Sequence, residues 1–301
     1  MKRKVIQLAG KTLVISLPTS WARQWGISKG EEIELTENGP RLIISTTKPR
    51  DIKKSGVDLS TATERTVRWV LSSLHKKGYD EIEVITDKAE HAKLIDELLK
   101  DLFIGFAVVH RSGNKCIIRA LSREFDDQFD AILRRAFLVT LSLGEESCKM
   151  AKQGKNAEME SLLQLEKTNN QLTNFCERIL NKHGHNEPVK STFLYAIIWN
   201  LEKIADDYKY LCKYLAKRKQ KLSFGTIQVY ERVNQLMRKY YELFYGFNLK
   251  LLDELSKETS DLHETIEKQI GSSSEAVVLS HLWHIVLKTA DFSASTFALN
   301  Y

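Results

Sequence analysis

Hydrophobic and polar positions along this chain fall into three rhythms, and each predicts a different kind of structure. Over residues 3–49 apolar side chains alternate on a period of two, as they do in half-buried strands. Val5-Ile6-Gln7-Leu8, a turn at Ala9-Gly10-Lys11-Thr12, and Leu13-Val14-Ile15-Ser16-Leu17 predict a hairpin. Pro18 to Gly26 suits one short helix, with Ser or Thr as its cap and Gly26 as its stop. Glu32-Ile33-Glu34-Leu35 and Arg41-Leu42-Ile43-Ile44, around a Glu37-Asn38-Gly39-Pro40 turn, predict a second hairpin. Four short strands and one helix turn bury little surface alone, so a partner copy is implied.

Residues 50–57 are polar and read as a linker. Beyond them, Val67, Val70, Leu71 and Leu74 form a helical stripe, and Tyr79 to Thr86 reads as a strand. Ala92, Ile95, Leu98, Leu99 and Leu102 mark a second helix, followed by strands at Ile104–His110 and Lys115–Leu121 around Ser112-Gly113-Asn114. This predicts a small α/β unit over 58–121. From Arg123 onward there is one proline, Pro188, and nearly unbroken helical periodicity. Leu194, Ile198, Leu201, Ala205, Tyr208, Cys212 and Leu215, for example, step by three and four. Breaks are expected near Gly154, His183–Asn186, Phe224-Gly225 and Gly271–Ser274, and the segment 123–301 is expected to form six helices in an antiparallel bundle.

Charge changes the picture of the first segment. Residues 1–54 hold eleven Lys and Arg against five acids, the whole net charge of +6, and residues 55–301 balance. Residues 1–30 contain six basic side chains and no acid. Concentrating cations on one small module points to a polyanionic partner, with the alternative of a solvated face on a dimerisation or antitoxin module.

Composition adds exclusions. With 43% hydrophobic and 28% charged residues the chain reads as a globular, cytoplasmic protein. No apolar run of membrane-spanning length occurs, and no apolar stretch follows the basic start as in a secretory signal. Cys116, Cys148, Cys176 and Cys212 are dispersed and read as reduced, mostly buried thiols. Gly10-Lys11-Thr12 lacks the spacing and following helix of a phosphate loop. No nucleophile–base pair, zinc-protease motif or dinucleotide turn is present, so nothing supports an enzyme.

An internal echo supplies the candidate chemistry of the helical part. Leu165-Glu166-Lys167-Thr168-Asn169-Asn170 recurs thirty-six residues later as Leu201-Glu202-Lys203-Ile204-Ala205-Asp206. Each copy puts a carboxylate and a second oxygen ligand at i and i+4 on one helix face. Two readings stand: a solvated acidic face, or a hard or borderline cation held by Glu166, Asn170, Glu202 and Asp206. His281 with His284, and His183 with His185, are further pairs at metal-ligand spacing, though eight histidines make coincidences common. Tyr240, Tyr241, Phe244, Tyr245 and Phe247 form an aromatic group that reads as bundle core. Trp21 and Trp25, at i and i+4, read as packing between two copies.

Two resemblances follow from these residues. Lys4 to Ile44 resembles the AbrB/SpoVT (MazE-like) swapped-hairpin DNA-binding family. The likeness runs through Gly10-Lys11, Leu13-Val14-Ile15, Leu17-Pro18, Arg23-Gln24-Trp25-Gly26-Ile27, Gly30-Glu31 and Leu42-Ile43-Ile44. It implies a dimeric swapped-hairpin β-barrel over residues 1–49, with Lys4, Lys11 and Arg23 where family members place DNA-contacting arginines and Lys2 and Arg3 in support. Two of the three are Lys, and Ala22 stands where a second arginine is often found. Phosphate attraction is therefore implied, and base readout is not.

The helical segment resembles the PhoU family of phosphate-uptake regulators, built of two three-helix repeats, through Glu166-xxx-Asn170 and Leu201–Asp206. In the second repeat only Asp261 of Lys257–Asp261 falls in place, and Leu287-Lys288-Thr289-Ala290-Asp291 has Leu where Glu is expected, so an implied divalent or iron-type metal belongs to the first repeat. Head and body together resemble archaeal phosphate-uptake regulators. The expected function is a homodimeric, DNA-binding transcriptional regulator whose α+β multidomain chain reports phosphate status. The alternative is an adaptor that acts on a phosphate transporter or kinase through protein contacts, its head serving only dimerisation.

Overall fold

The structure, a computed structural model, describes residues 2–46, 52–121, 128–185, 187–271 and 274–301. Arg50 and Asp51 of the expected linker, the start of the helical segment at Arg123, and Asn186, Ser272 and Ser273 of the expected breaks lie outside the described residues. The chain divides into two compact units, Met1–Ile52 and Lys53–Tyr301.

In the first unit β1 (Ile6–Leu8) pairs antiparallel with β2 (Thr12–Val14), in register Ile6 to Val14. Ala9 and Gly10 take positive φ (47° and 73°), which closes the hairpin tightly. Gly10-Lys11-Thr12 thus leads into a strand, as no phosphate loop does. Helix α1 (Thr19–Gln24) stops at Gly26, whose φ is 57°. The Ser/Thr cap is not formed: Pro18 stands at the N-cap, without a side-chain hydrogen bond. β3 (Glu34–Asn38) and β4 (Arg41–Ser45) form the second hairpin through Gly39-Pro40.

The expected β-barrel is not what these strands make. β1–β2 and β3–β4 are two separate, open two-stranded sheets. Four strands of three to five residues are too few and too short to wrap around a filled interior. No side chain described in residues 2–46 is buried, and Ile6, Leu8, Leu13, Leu35 and Leu42 are each more than half exposed.

The second unit begins with a four-stranded sheet in the order β5-β6-β8-β7. β5 (Lys54–Asp58) runs parallel to β6 (Glu81–Ile85), joined through helix α2 (Glu64–Lys76). Thr63 caps α2 by accepting from the Thr66 backbone N–H. Helix α3 (Ala89–Asp101) leads to the β7 (Phe106–Ser112) and β8 (Lys115–Ala120) hairpin, and β8 lies antiparallel to β6. Val67 and Leu71 of α2, and Leu94, Ile95 and Leu98 of α3, share one core with Ile82, Val84, Cys116 and Ile118 of the sheet. The expected linker is partly strand: its residues from Lys54 onward form edge strand β5, which carries too few apolar residues to announce itself.

Among the described residues, six α-helices and a 3₁₀ segment, Asn156–Leu162, follow. They are α4 (Phe129–Gln153), α5 (Leu163–His183), α6 (Lys190–Ala216), α7 (Phe224–Tyr245), α8 (Leu249–Ile270) and α9 (Ala276–Asn300). Helices α4–α6 pack on one another, as do α7–α9, and the two sets join through α6 against α9 and α4 against α7. This is an all-helical bundle with the pairing of a helical repeat. Some polar groups inside it bond to one another: Tyr208 donates to Asn234 Oδ1 at 2.7 Å, and Asn234 Nδ2 donates to the Gly144 carbonyl at 2.8 Å. Tyr240, Tyr241, Phe244 and Tyr245 pack around Phe137 as part of the core and its margin. All four cysteines are free and buried, and burial pushes the Cys148 and Cys212 thiols up to about 12, into an unreactive range. Among the described residues, no helix is long and apolar enough to cross a membrane.

Candidate functional site

The N-terminal cations sit where a ligand can reach them. Lys2, Arg3, Lys4, Lys11 and Arg23 are all exposed, and none forms an ion pair with a described residue. Lys11 follows the tight turn at Gly10, which projects it at one end of the first hairpin, and Arg23 lies in the last turn of α1. Trp21 and Trp25 are half-buried beside it.

In the bundle, the four oxygen ligands read from the sequence are knitted together by lysines. Glu166 Oε1 accepts from Asn170 Nδ2 at 2.7 Å and from Lys209 Nζ at 2.8 Å. The same Lys209 ammonium binds Asp206. Lys203 lies 3.2 Å from both Asp206 Oδ2 and Glu202 Oε1. Glu202 Oε2 then stands 3.7 Å from Lys76 of α2, which pairs with the buried Glu177 of α5 at 2.6 Å. Glu166 and Asp206 therefore meet on one ammonium, Asn170 is tied to Glu166 by its amide, and Glu202 is one lysine removed along an alternating row of charges. Burial works against the charge of Lys209, but hydrogen bonds to Asp206 and Glu166 outweigh it and hold the ammonium well above its ordinary pKa. Lys76, Glu177 and Lys209 complete this row and were not singled out from the sequence. The spacing of Lys209 from Asp206, i to i+3 on one helix, is the signal that could have found it.

One residue further along α6, Asp207 faces α9 instead. His281, His284 and Lys288 recur there at i, i+3 and i+7, one face of that helix, and all three converge on its carboxylate. His281 Nδ1 lies 3.2 Å and His284 Nδ1 3.6 Å from Oδ1, and Lys288 Nζ is bonded to Oδ2. Burial acts to raise the Asp207 pKa, yet hydrogen bonds from His281 and Lys288 hold it below the usual carboxylate value. The Tyr210 ring stacks on His281 with centroids 6.1 Å apart. Ligand atoms of Asp207, His281 and His284 lie within 4.8 Å of one another, the group of this kind found among the described residues. Two imidazoles and one carboxylate form a donor set that could hold a borderline divalent ion with a position left open. His183 and His185 do not join such a group: His185 Nδ1 accepts from the Glu187 backbone N–H at 3.0 Å.

Residues 6–53 match the family described as antidote-toxin recognition MazE, bacterial antitoxin. The N-terminal region thus resembles a swapped-hairpin family of the MazE/AbrB kind. No curated protein and no solved structure matches the chain.

Proposed function

We propose that this chain is a DNA-binding regulator, dimeric through its N-terminal unit, whose helical body passes phosphate status to that unit. The observation that carries the reading is the set of exposed cations Lys2, Arg3, Lys4, Lys11 and Arg23, without an ion-pair partner among the described residues, on a stretch of thirty residues without an acid. The likeness of residues 6–53 to a swapped-hairpin family supports it. The phosphate input rests on the likeness of Glu166-xxx-Asn170 and Leu201–Asp206 to the phosphate-uptake regulators. A metal ion enters the reading at Asp207, His281 and His284. Glu166, Asn170, Glu202 and Asp206 are the second place for one, and there an ion has to displace Lys209 from two carboxylates.

The test is fluorescence-anisotropy binding to the chain's own upstream DNA and to a shuffled duplex, over a salt series, with and without phosphate. A head that neutralises about six phosphates gives a log–log salt slope near −5, since each contact contributes roughly −0.9. Lys4, Lys11 and Arg23 changed together to Ala abolish the binding. A slope near zero, or no binding at low salt, removes DNA from the proposal.

A second reading has its own support, because the exposed apolar side chains of the same unit ask for a protein surface. In it the head only dimerises, and the bundle acts on a phosphate transporter or kinase. Capture of such subunits from cells without enrichment of chromosomal fragments favours it.

A further inference from the structure

A cleft of 700 Å³ opens where α2 meets α5 and α6, within the range of about 300–1,000 Å³ typical of small-ligand sites. Its walls combine two chemistries. Trp69 of α2 and Trp199 of α6 leave 60% and 44% of their surfaces open, although both are large apolar rings. Lys53, Lys76 and Lys77 line the same cleft. A second cavity of 460 Å³ shares Trp199, Tyr195 and Asn181 with the first and extends the site along α5 and α6.

Each of the three cations also has a place in the fold: Lys76 pairs with Glu177, and Lys53 and Lys77 lie over the Tyr79 ring at 4.8 and 5.8 Å. Lys76 is fixed by Glu177, 2.6 Å away and fully buried, so the part of Lys76 that remains accessible faces the cleft. Its Nζ lies 5.3 Å from the Trp199 ring centre, and Lys203 covers the same indole at 4.9 Å. Lys77 is exposed and pairs with no described carboxylate; Lys53 reaches across to the Lys77 carbonyl at 3.2 Å. The hydroxyls of Ser72 and Ser73, one turn before these lysines, have no hydrogen-bond partner among the described residues. Both indoles carry cations over their rings, Arg65 over Trp69 at 4.9 Å and Lys76 and Lys203 over Trp199, and their exposed parts beside the lining lysines suit a ligand with a flat ring at one end and several negative charges at the other. Inorganic phosphate would leave the indoles unused, and an apolar ligand would leave the lysines unused.

We infer that this cleft binds a nucleotide, its base stacked on Trp69 or Trp199 and its phosphates held by Lys53, Lys76 and Lys77. The inference stands apart from DNA binding by the N-terminal unit and deepens only the idea that the second unit receives a signal.

The experiment is isothermal titration calorimetry on the full chain with ATP, AMP, adenosine, inorganic phosphate and a single-stranded oligothymidylate. ATP is expected to bind more tightly than AMP, and AMP more tightly than adenosine or inorganic phosphate. Trp69→Ala and Lys77→Glu, both at exposed positions, each weaken ATP binding roughly tenfold or more, and Trp199→Phe, which keeps a ring, weakens it less. Thermal melts of the variants confirm that the fold is retained. ATP binding must also persist when Lys4, Lys11 and Arg23 are Ala, which separates this outcome from any result with duplex DNA. Absence of heat with ATP at millimolar concentration overturns the inference, as does phosphate binding as tightly as ATP. An oligonucleotide that displaces ATP and is itself weakened by Trp69→Ala assigns the cleft to single-stranded nucleic acid and overturns it too.

Discussion

Arg178 of α5 donates to Asp80 Oδ1 at 2.6 Å, and the same guanidinium donates to the carbonyls of His75 and Tyr79 at 2.9 and 2.7 Å. One side chain thus closes the C-terminal end of α2 and grips the turn that follows, while Lys182 adds a second cation to Asp80 at 2.9 Å. Asn181, between them in sequence, donates to the Lys76 carbonyl at 2.9 Å. These bonds hold the sheet-bearing part of the second unit against the bundle. They also fix the α2 wall of the Trp69–Trp199 cleft.

Because Arg178 and Asp80 are almost entirely buried, removing one partner leaves an uncompensated charge. Asp80→Ala or Arg178→Ala is expected to cost about 3–5 kcal/mol in denaturant unfolding of the second unit. A loss below about 1 kcal/mol would place the pair among ordinary surface bridges.

The same carboxylate sets an acid limit. Burial acts to raise the Asp80 pKa, but hydrogen bonds from Lys182 and from the Lys53 backbone N–H hold it below the ordinary value of 3.8. A depressed carboxylate pKa contributes stability that is complete above the unfolded value and is lost as pH falls through the folded one. Wild type should therefore lose this contribution below pH 3.8, and Asp80→Asn should show a shallower decline there. Matching acid profiles for the two proteins would contradict it.

Gly144 is a packing requirement. A Cβ there would stand 2.7 Å from the Tyr208 ring and hydroxyl and 2.8 Å from Asn234 Oδ1, inside a bonded triad. Gly144→Ala should destabilise the bundle by about 1–3 kcal/mol. Adding Tyr208→Phe should change the cost non-additively, since both act on one site. Additive effects in a double-mutant cycle would count against the shared contact.

Leu13 and Leu42 are 69% and 51% exposed on a unit without a buried side chain among those described. Leu13→Asp with Leu42→Asp should shift the chain from dimer to monomer in sedimentation velocity. The α-helical signal of the second unit should remain. A wild-type chain that sediments as a monomer at every concentration removes dimerisation from the proposal.

Zn²⁺ binding, followed by calorimetry and chelator competition, should be lost in His284→Ala and kept in Glu202→Ala. Lys288→Met should strengthen it, because Lys288 competes for Asp207. Loss in Glu202→Ala alone would move the ion to the row containing Glu166 and Asp206.

Much of this was legible in the residues. Period-two alternation located both N-terminal hairpins, and the steps of three and four through Leu194 and Leu215 located α6. Edge strand β5 escaped because Lys54-Ser55-Gly56-Val57-Asp58 needs only one paired edge and carries a single large apolar side chain, Val57. The echo between Leu165–Asn170 and Leu201–Asp206 drew attention to Asp206, whereas its neighbour Asp207 points to α9. Which of two adjacent acids meets a histidine face is decided by how α6 and α9 pack, and no periodicity records that. The Trp69–Trp199 cleft was invisible for a similar reason: its walls lie more than a hundred residues apart in sequence.

No side chain described in residues 2–46 is buried, so that module has little of its own interior to hold it. Strands this short gain little from their own hydrogen bonds, so the hairpins are held only as well as something covers their apolar faces. Where that cover is a second copy, as proposed, a rise in chain concentration favours the covered state. Dilution has the opposite effect. On that reading the concentration of the chain bears on the state of its first forty-six residues.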